Sequence, residues 1–336
     1  MISIVVHEKE AGSRLDRILR KRLPLLSLSN IYTMIRRGGV RVDGHRRVGQ
    51  DYRLVLGDII NINADPAELA LPAARQPGAD SRLVKTEFFK RNFSILHEDD
   101  DLLVCDKPIG LVVHPGSGHL HHDTLVDLAA AYLFAGGKIN NVDDFALVHR
   151  LDRDTSGAIL IAKNKQALRR LHEMFRRRSL TKQYIAICHG QPPENEGEIE
   201  LHLQRGRDAR GETTMRVQER GVLSRSSYRV DAFSGDRSRV EVFLETGKTH
   251  QIRIHLSHLG APILGDSRYG DALRDKVFFL TSPGLTVRLY LHAWKLSFLH
   301  PSTMRPFTVT APLPIDFADV MEDRGRVLSG ARAQRR

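Results

Sequence analysis

The 336-residue chain has only two cysteines, Cys105 and Cys188, each inside an apolar stretch. That excludes a disulfide scaffold and a cysteine-based zinc site. No apolar run approaches the ~18–20 residues of a membrane span. The opening MISIVVHEKEAG has no basic segment leading into a long apolar one, so it does not read as a signal peptide. Glycine (26) and proline (14) are at ordinary levels, which excludes a collagen-like or linker-like chain. Gly136-Gly137-Lys138 lacks the spacing of a phosphate loop, so no nucleotide cofactor is expected. His119, His121 and His122 have no neighbouring cysteine and no helical i, i+4 pair, so they read as a solvated loop and no metal is expected. What remains is a soluble, cytoplasmic globular chain, without a membrane partner and monomeric by expectation.

Apolar residues make up 41% of the chain, enough for a real core. Its length suggests two domains. The net charge of +11 points to a polyanionic partner. Residues 13–63 hold eleven Lys/Arg against four acids, well over half of that excess. Leu15, Ile18 and Leu19 are spaced as one helix face over 14–22, with Arg14, Arg17 and Lys21 on another, and Pro24 stops the helix. Ser29 is placed to cap a second helix, with Ile31, Met34 and Ile35 inward and Gly38-Gly39 after its end. VRVDG (40–44) and YRLVLGDIINI (52–62) read as strands around a turn at Asp43-Gly44. Basic residues concentrated on a helix pair and a hairpin favour nucleic-acid binding over a merely solvated surface.

The stretch from RLDRILRKRL through RRGGVRVDG to LGDII resembles the S4 domain, a small RNA-binding module. The resemblance implies an RNA-binding unit over 1–65, with Arg14, Arg17, Lys21, Arg36, Arg37 and Arg41 at the RNA. Clustered cations suit that role because neutralising phosphates releases condensed counterions. Residues 66–90 read as a linker, rich in Pro and Ala over 66–82, that holds RNA near the rest of the chain. The tail, 321–336, is basic.

Between them, 91–320 mixes strands and helices without a regular βαβ period, which indicates an α+β class. SILHEDDDLLVCDKP reads as two strands about an acidic turn, and LVVHPGSG as strand then loop. TLVDLAAAYLF reads as helix, 149–157 as loop, AILIAK as strand, and 165–178 as a helix capped by Asn164. QYIAICHG reads as strand, 226–246 as a hairpin through Ser234-Gly235-Asp236, and 249–260 as a helix capped by Thr249 and stopped by Gly260.

The densest polar cluster is His149-Arg150-Leu151-Asp152-Arg153-Asp154-Thr155-Ser156-Gly157. A loop between two apolar strands is where function concentrates. A tight turn bonded to its own backbone accounts for Asp154, Thr155 and Ser156, but not for Arg150 with Asp152. HRLDRDTSG resembles the signature of the RluA-type pseudouridine synthases. Two more of that family's motifs follow in order: Lys182-Gln183-Tyr184-Ile185-Ala186, and Gly247 through His255, with Lys248 where the family has Arg. SRYGD (267–271) and LHP (299–301) lean toward the large-subunit ribosomal RNA branch.

The resemblance implies a catalytic domain built on a mixed, mainly antiparallel sheet flanked by helices. It implies isomerisation of uridines to pseudouridine in 23S ribosomal RNA of the large subunit, free or in assembling particles, without a cofactor. Asp152 matches the essential aspartate acting at the C1′–C2′ region of the target nucleotide. Arg253 matches its cationic partner, Tyr184 the residue stacked on the base, and Arg150 the arginine that helps to extrude the uridine. Ile252 supplies an apolar wall, and Lys182 and His149 fall in the substrate-binding motifs. The alternatives are a non-catalytic ribosome assembly factor and the same isomerase acting on transfer RNA. Paired-carboxylate glycoside hydrolysis by Asp152 and Asp154 fails, because two residues of one loop do not flank a bond.

Overall fold

The computed structural model describes residues 2–22, 28–45, 48–63, 93–114, 124–139, 145–208 and 213–322. The linker, the His119–His122 loop and residues 323–336 of the tail lie outside that set. The described residues up to 63 form one compact unit, and those from 93 onward another.

In the first unit Leu15, Ile18 and Leu19 of α1 (Leu15–Arg22) face Ile31 and Ile35 of α2 (Leu28–Arg36) in a common core. The Tyr32 hydroxyl donates to Asp16 across the helix pair, 3.0 Å. α2 begins at Leu28, so Ser29 lies in its first turn rather than at its cap. A three-stranded antiparallel sheet completes the unit, in the order β1 (Ile2–Val5), β3 (Ile59–Ile62), β2 (Val40–Val42). Asp43 and Gly44 turn after β2 with left-handed φ of 48° and 79°. The expected strand over 52–62 is shorter, because Gly57 turns at φ 90° and the Asp58 carboxylate accepts the Val55 amide. Only 59–62 pairs as strand, and β1 was not foreseen.

The second unit is built on an eleven-stranded sheet. β4 (Ser94–Glu98) and β5 (Leu102–Lys107) flank the acidic turn, as expected. β6 (Ala146–Leu147) and β7 (Ser156–Ala162) bracket the HRLD loop. Then come β8 (Thr181–His189), β9 (Glu196–Arg207), β10 (Thr213–Val217), β11 (Val222–Ser234), β12 (Arg237–Leu244), β13 (Leu291–Leu299) and β14 (Pro306–Thr310). The path runs β10-β9-β11-β12-β8-β13-β7-β5-β4, with β14 on β13 and β6 on β7. Every pairing is antiparallel except β13 with β7, so the sheet is mixed and mainly antiparallel.

β7 is buried along its whole length. Its two-residue period sends Ile159 and Ile161 into one core and Ala158, Leu160 and Ala162 into another. The first core is closed by α3 (Leu125–Ala135), capped by Thr124 with Asp127 in a capping box. The second is closed by α4 (Lys165–Arg176), whose Ala167, Leu171 and Met174 face inward. The Asn164 side chain caps α4 by accepting from the Ala167 amide, 2.8 Å. α4 stops at Arg176 rather than 178 because Arg178 turns to a φ of 55°. Residues 111–114 are not strand.

α5 (Gln251–His258) departs from expectation at its start. Its cap is His250, at φ 55°, not Thr249. The Gln251 amide holds that turn, its oxygen accepting from the Thr246 hydroxyl and the Lys248 amide, its nitrogen donating to the Arg225 carbonyl. Gly260 ends the helix region at φ 75°, as read. α6 (Ala272–Thr281) and α7 (Ile315–Met321) follow.

Candidate active site

The 148–155 loop is fixed from beneath. Lys107, fully buried, donates from Nζ to the carbonyls of Pro108, Leu111 and Arg153 at 2.7, 3.0 and 2.8 Å. Burial lowers that ammonium to about 7. Gly157 closes the loop at φ 112°, where an added Cβ would sit 2.2 Å from the Ala293 carbonyl oxygen. Only glycine lets β7 approach β13 this closely. Ser156 bonds His292 Nδ1 and accepts from Arg288, and Asp154 pairs with Arg153, so these residues serve structure.

Thus held, the loop presents Asp152 to a cavity of about 620 Å³. His149, Arg150, Lys182, Tyr184, Ile252 and Arg253 line the same cavity, joined by Lys248 and His250. All seven candidates expected in the larger unit therefore converge. The Asp152 carboxylate accepts no hydrogen bond among the described residues and is about one-third exposed. Two nitrogens stand 4.0 Å from its Oδ2: Arg253 Nη1 and His250 Nε2.

Arg253 is nine-tenths buried and held mainly by a residue the sequence reading missed. Its Nε and Nη2 donate to Asp266 at 2.7 and 2.6 Å. Burial by itself would raise the Asp266 carboxyl. Arg253, together with the Tyr269 and Arg268 amides, instead holds it below the usual range. This leaves Arg253 Nη1 aimed at Asp152. His250 is oriented in turn by Tyr269, whose hydroxyl lies 2.8 Å from Nδ1 and accepts the Met215 amide at 2.9 Å. Burial lowers the His250 imidazole, against the pull of Asp152. The signal for both helpers was the Asp266-Ser267-Arg268-Tyr269 run, which places a carboxylate and a phenol at one turn.

Tyr184, on β8, is buried, and burial followed by the Asp152 charge pushes its phenol up. Lys182 is buried with no carboxylate partner among the described residues, its Nζ 5.1 Å from the Phe175 ring centre. Burial lowers it to about 8. The His149 ring accepts the Leu160 amide at Nε2, and burial, then Lys182, lowers it to about 3. Arg150 and Lys248 are exposed at the rim. The site therefore combines one unbonded carboxylate, a flat buried ring and cations spread around the mouth. That set can bind a polyanion and present one carboxylate to it.

In the smaller unit Arg14, Arg17, Arg36 and Arg37 are exposed and Arg41 is half-buried, while the Lys21 side chain lies outside the described residues. Away from the cavity, Asp99, Asp101 and His300 cluster as metal ligands can. His300 Nδ1 accepts from the Ser302 and Thr303 amides, so its proton is on Nε2, facing Asp99 at 2.9 Å. A metal would need that nitrogen bare.

The profile of the RNA pseudouridylate synthase family matches residues 101–258. The chain is 36% identical over 313 residues to "Ribosomal large subunit pseudouridine synthase C" of Escherichia coli (strain K12), covering 92% of each protein. It is 37% identical over 309 residues to the protein of that name from Haemophilus ducreyi (strain 35000HP / ATCC 700724), covering 92% of this chain and 91% of the relative. Among solved structures, "Human RNA Pseudouridylate Synthase Domain Containing 4" is similar, with a TM-score of 0.57 and 27% identity over 72% of this chain and 96% of that one.

Proposed function

The chain belongs to the RNA pseudouridylate synthase family, and from that premise we propose that it isomerises uridines to pseudouridine in large-subunit ribosomal RNA. The reaction breaks the N1–C1′ bond, forms a C5–C1′ bond, and moves one proton from C5 to N1. It transfers no electrons, so it requires no redox cofactor. Asp152 acts at the C1′–C2′ region of the flipped nucleotide, with Arg253 and His250 facing its Oδ2 and opposing its movement. Tyr184 stacks on the detached uracil while it turns, and Ile252 walls the base. Arg150 helps to hold the uridine out of its stack. Lys182 and the rim cations take phosphates.

The unbonded Asp152 carboxylate at the head of this cavity carries the reading. It also favours an enzyme over a passive assembly factor, which would need no such convergence. Asp152→Asn should reduce pseudouridine formation by a factor of about 10²–10⁴ or more while leaving RNA affinity nearly intact. The readout is tritium release from [5-³H]uridine-labelled ribosomal RNA beside a binding titration. Full activity in that variant would overturn the assignment. Transfer RNA labelled the same way distinguishes the other RNA substrate.

The smaller unit is read as an S4-type RNA-binding module. Exposed Arg14 just before α1, Arg17 on α1, Arg36 on α2 and Arg37 in the turn after it support that reading. We place the protein as a monomer in the cytoplasm with its ribosomal RNA, free or in assembling particles.

A further inference from the structure

The outer face of α4 has no part in the chemistry above. Lys165, Arg169, His172 and Arg176 are spaced i, i+4, i+7, i+11, which makes one stripe, and all four are exposed. The opposite stripe, Ala167, Leu171 and Met174, is buried against β7 and its neighbours. Residues 165–178 contain six Lys/Arg and a single acid, Glu173. Arg176 and Arg177 share that acid. Arg169 has no ion-pair partner among the described residues.

Helix stability does not account for the stripe. Lys165 sits in the first turn, where the helix dipole disfavours a cation. Arg170, by contrast, is turned away and donates to the Pro301 carbonyl. The stripe leads into the catalytic cavity, because Arg176 and Arg178 form part of its wall. Arg178 is held at φ 55°, a region that bulky side chains rarely adopt, with Nη1 3.5 Å from Glu245. A hollow of about 770 Å³ flanks the helix, and it shares Phe175 and Arg176 with the catalytic cavity.

We infer that the outer face of α4 is a docking rail for the sugar-phosphate backbone of the RNA strand that carries the target uridine, ending at Arg176 and Arg178. The inference rests on the isomerase reading of the Asp152 cavity. Continuity with a nucleotide-sized cavity and the excess of positive charge select RNA as the occupant. The dimensions fit: twelve helical residues extend about 18 Å, roughly five phosphates of a stacked strand at ~3.4 Å each. Charge contacts of this kind position a strand without reading its sequence. Site choice therefore lies with other surfaces.

The test uses the full chain and a ribosomal RNA fragment containing a modified uridine. Affinity is measured from about 50 to 300 mM KCl for the wild type, for K165Q/R169Q/R176Q and for R239Q, whose arginine lies on β12. Each single-stranded phosphate contact contributes about 0.7 to the slope of log affinity against log salt. The triple variant should therefore have a slope shallower by about 2, with a KM raised about tenfold near physiological salt. R239Q should match the wild type. An unchanged slope in the triple variant, or an equal fall in R239Q, overturns the rail. R169E alone, two turns from the cavity, gives the same comparison if the triple variant folds poorly. Asp152→Asn separates the two readings: if it still makes pseudouridine, the catalytic assignment fails, while the salt slopes report on the rail independently.

Discussion

Arg253 faces two carboxylates with one guanidinium, and the division leaves Asp152 without a hydrogen bond from it. Asp266 takes Nε and Nη2 at hydrogen-bond distance, and Asp152 is left with Nη1 at 4.0 Å. Replacing Asp266 by Asn removes the charge but keeps the shape. The buried guanidinium then lacks its main partner, and breaking a buried pair typically costs about 3–5 kcal/mol. Released, Arg253 would close on Asp152 and occupy the carboxylate proposed to act on the nucleotide. D266N should therefore lower both the denaturation midpoint and the isomerisation rate, whereas D152N should lower only the rate. Urea melts beside the tritium assay separate the two, and a D266N protein with wild-type stability would refute the argument. Sequence reasoning paired Arg253 with Asp152 and missed Asp266. No periodic pattern links residues 253 and 266, and only the folded turn after α5 brings them together.

At the level of elements, the approach of β7 to β13 sets where the catalytic loop ends. Gly157 admits the Ala293 backbone where a Cβ would stand 2.2 Å from its carbonyl oxygen. G157A must therefore push the only parallel strand pair of the described sheet apart and shift the loop that carries Asp152. The expected result is a fall in both stability and rate, larger in stability than for D152N, read from the same melts. A fully active, equally stable G157A would contradict it. Local signals made α3, α4, β5, β7 and β8 legible, because caps and apolar periods lie within a few residues. Asn164 is an example, since it accepts an amide of its own helix. Elements shaped by distant partners were missed. β9 carries Glu196, Glu198, Glu200, Arg205 and Arg207 on exposed positions, and β13 acquires its place from β7, more than a hundred residues away in the chain. The cap of α5 was misassigned because the fixing side chain, Gln251, lies inside the helix and reaches back to Thr246 and Lys248.

Across the whole molecule, the +11 charge is a statement about partners, and the buried titratable groups decide how stability responds to pH. Burial lowers His149 to about 3 and both His255 and His292 to about 4. In the unfolded chain these imidazoles titrate near 6.5. Between those values the unfolded state binds protons that the folded state refuses. Their contribution is thus complete above about pH 6.5 and is lost as pH falls, on the order of 3 kcal/mol each for His255 and His292. Asp106 opposes them: burial raises it to about 6, so its folded form gains a proton first and acid favours the fold there. One raised carboxyl does not offset three depressed imidazoles. Lys107 and Lys182, lowered to about 7 and 8, extend the same trend upward, since the unfolded chain binds their protons up to about pH 10.5. Stability should therefore climb from pH 4 through neutrality to mildly alkaline conditions. Urea midpoints at intervals across that range measure the trend. H292L removes one depressed imidazole and should flatten the curve between about pH 4 and 6.5, leaving its alkaline part unchanged. A stability maximum near pH 5 in the wild type would mean that these histidines are not buried neutral, and that the sheet core around Ser156 and the catalytic loop is wetter than its packing indicates.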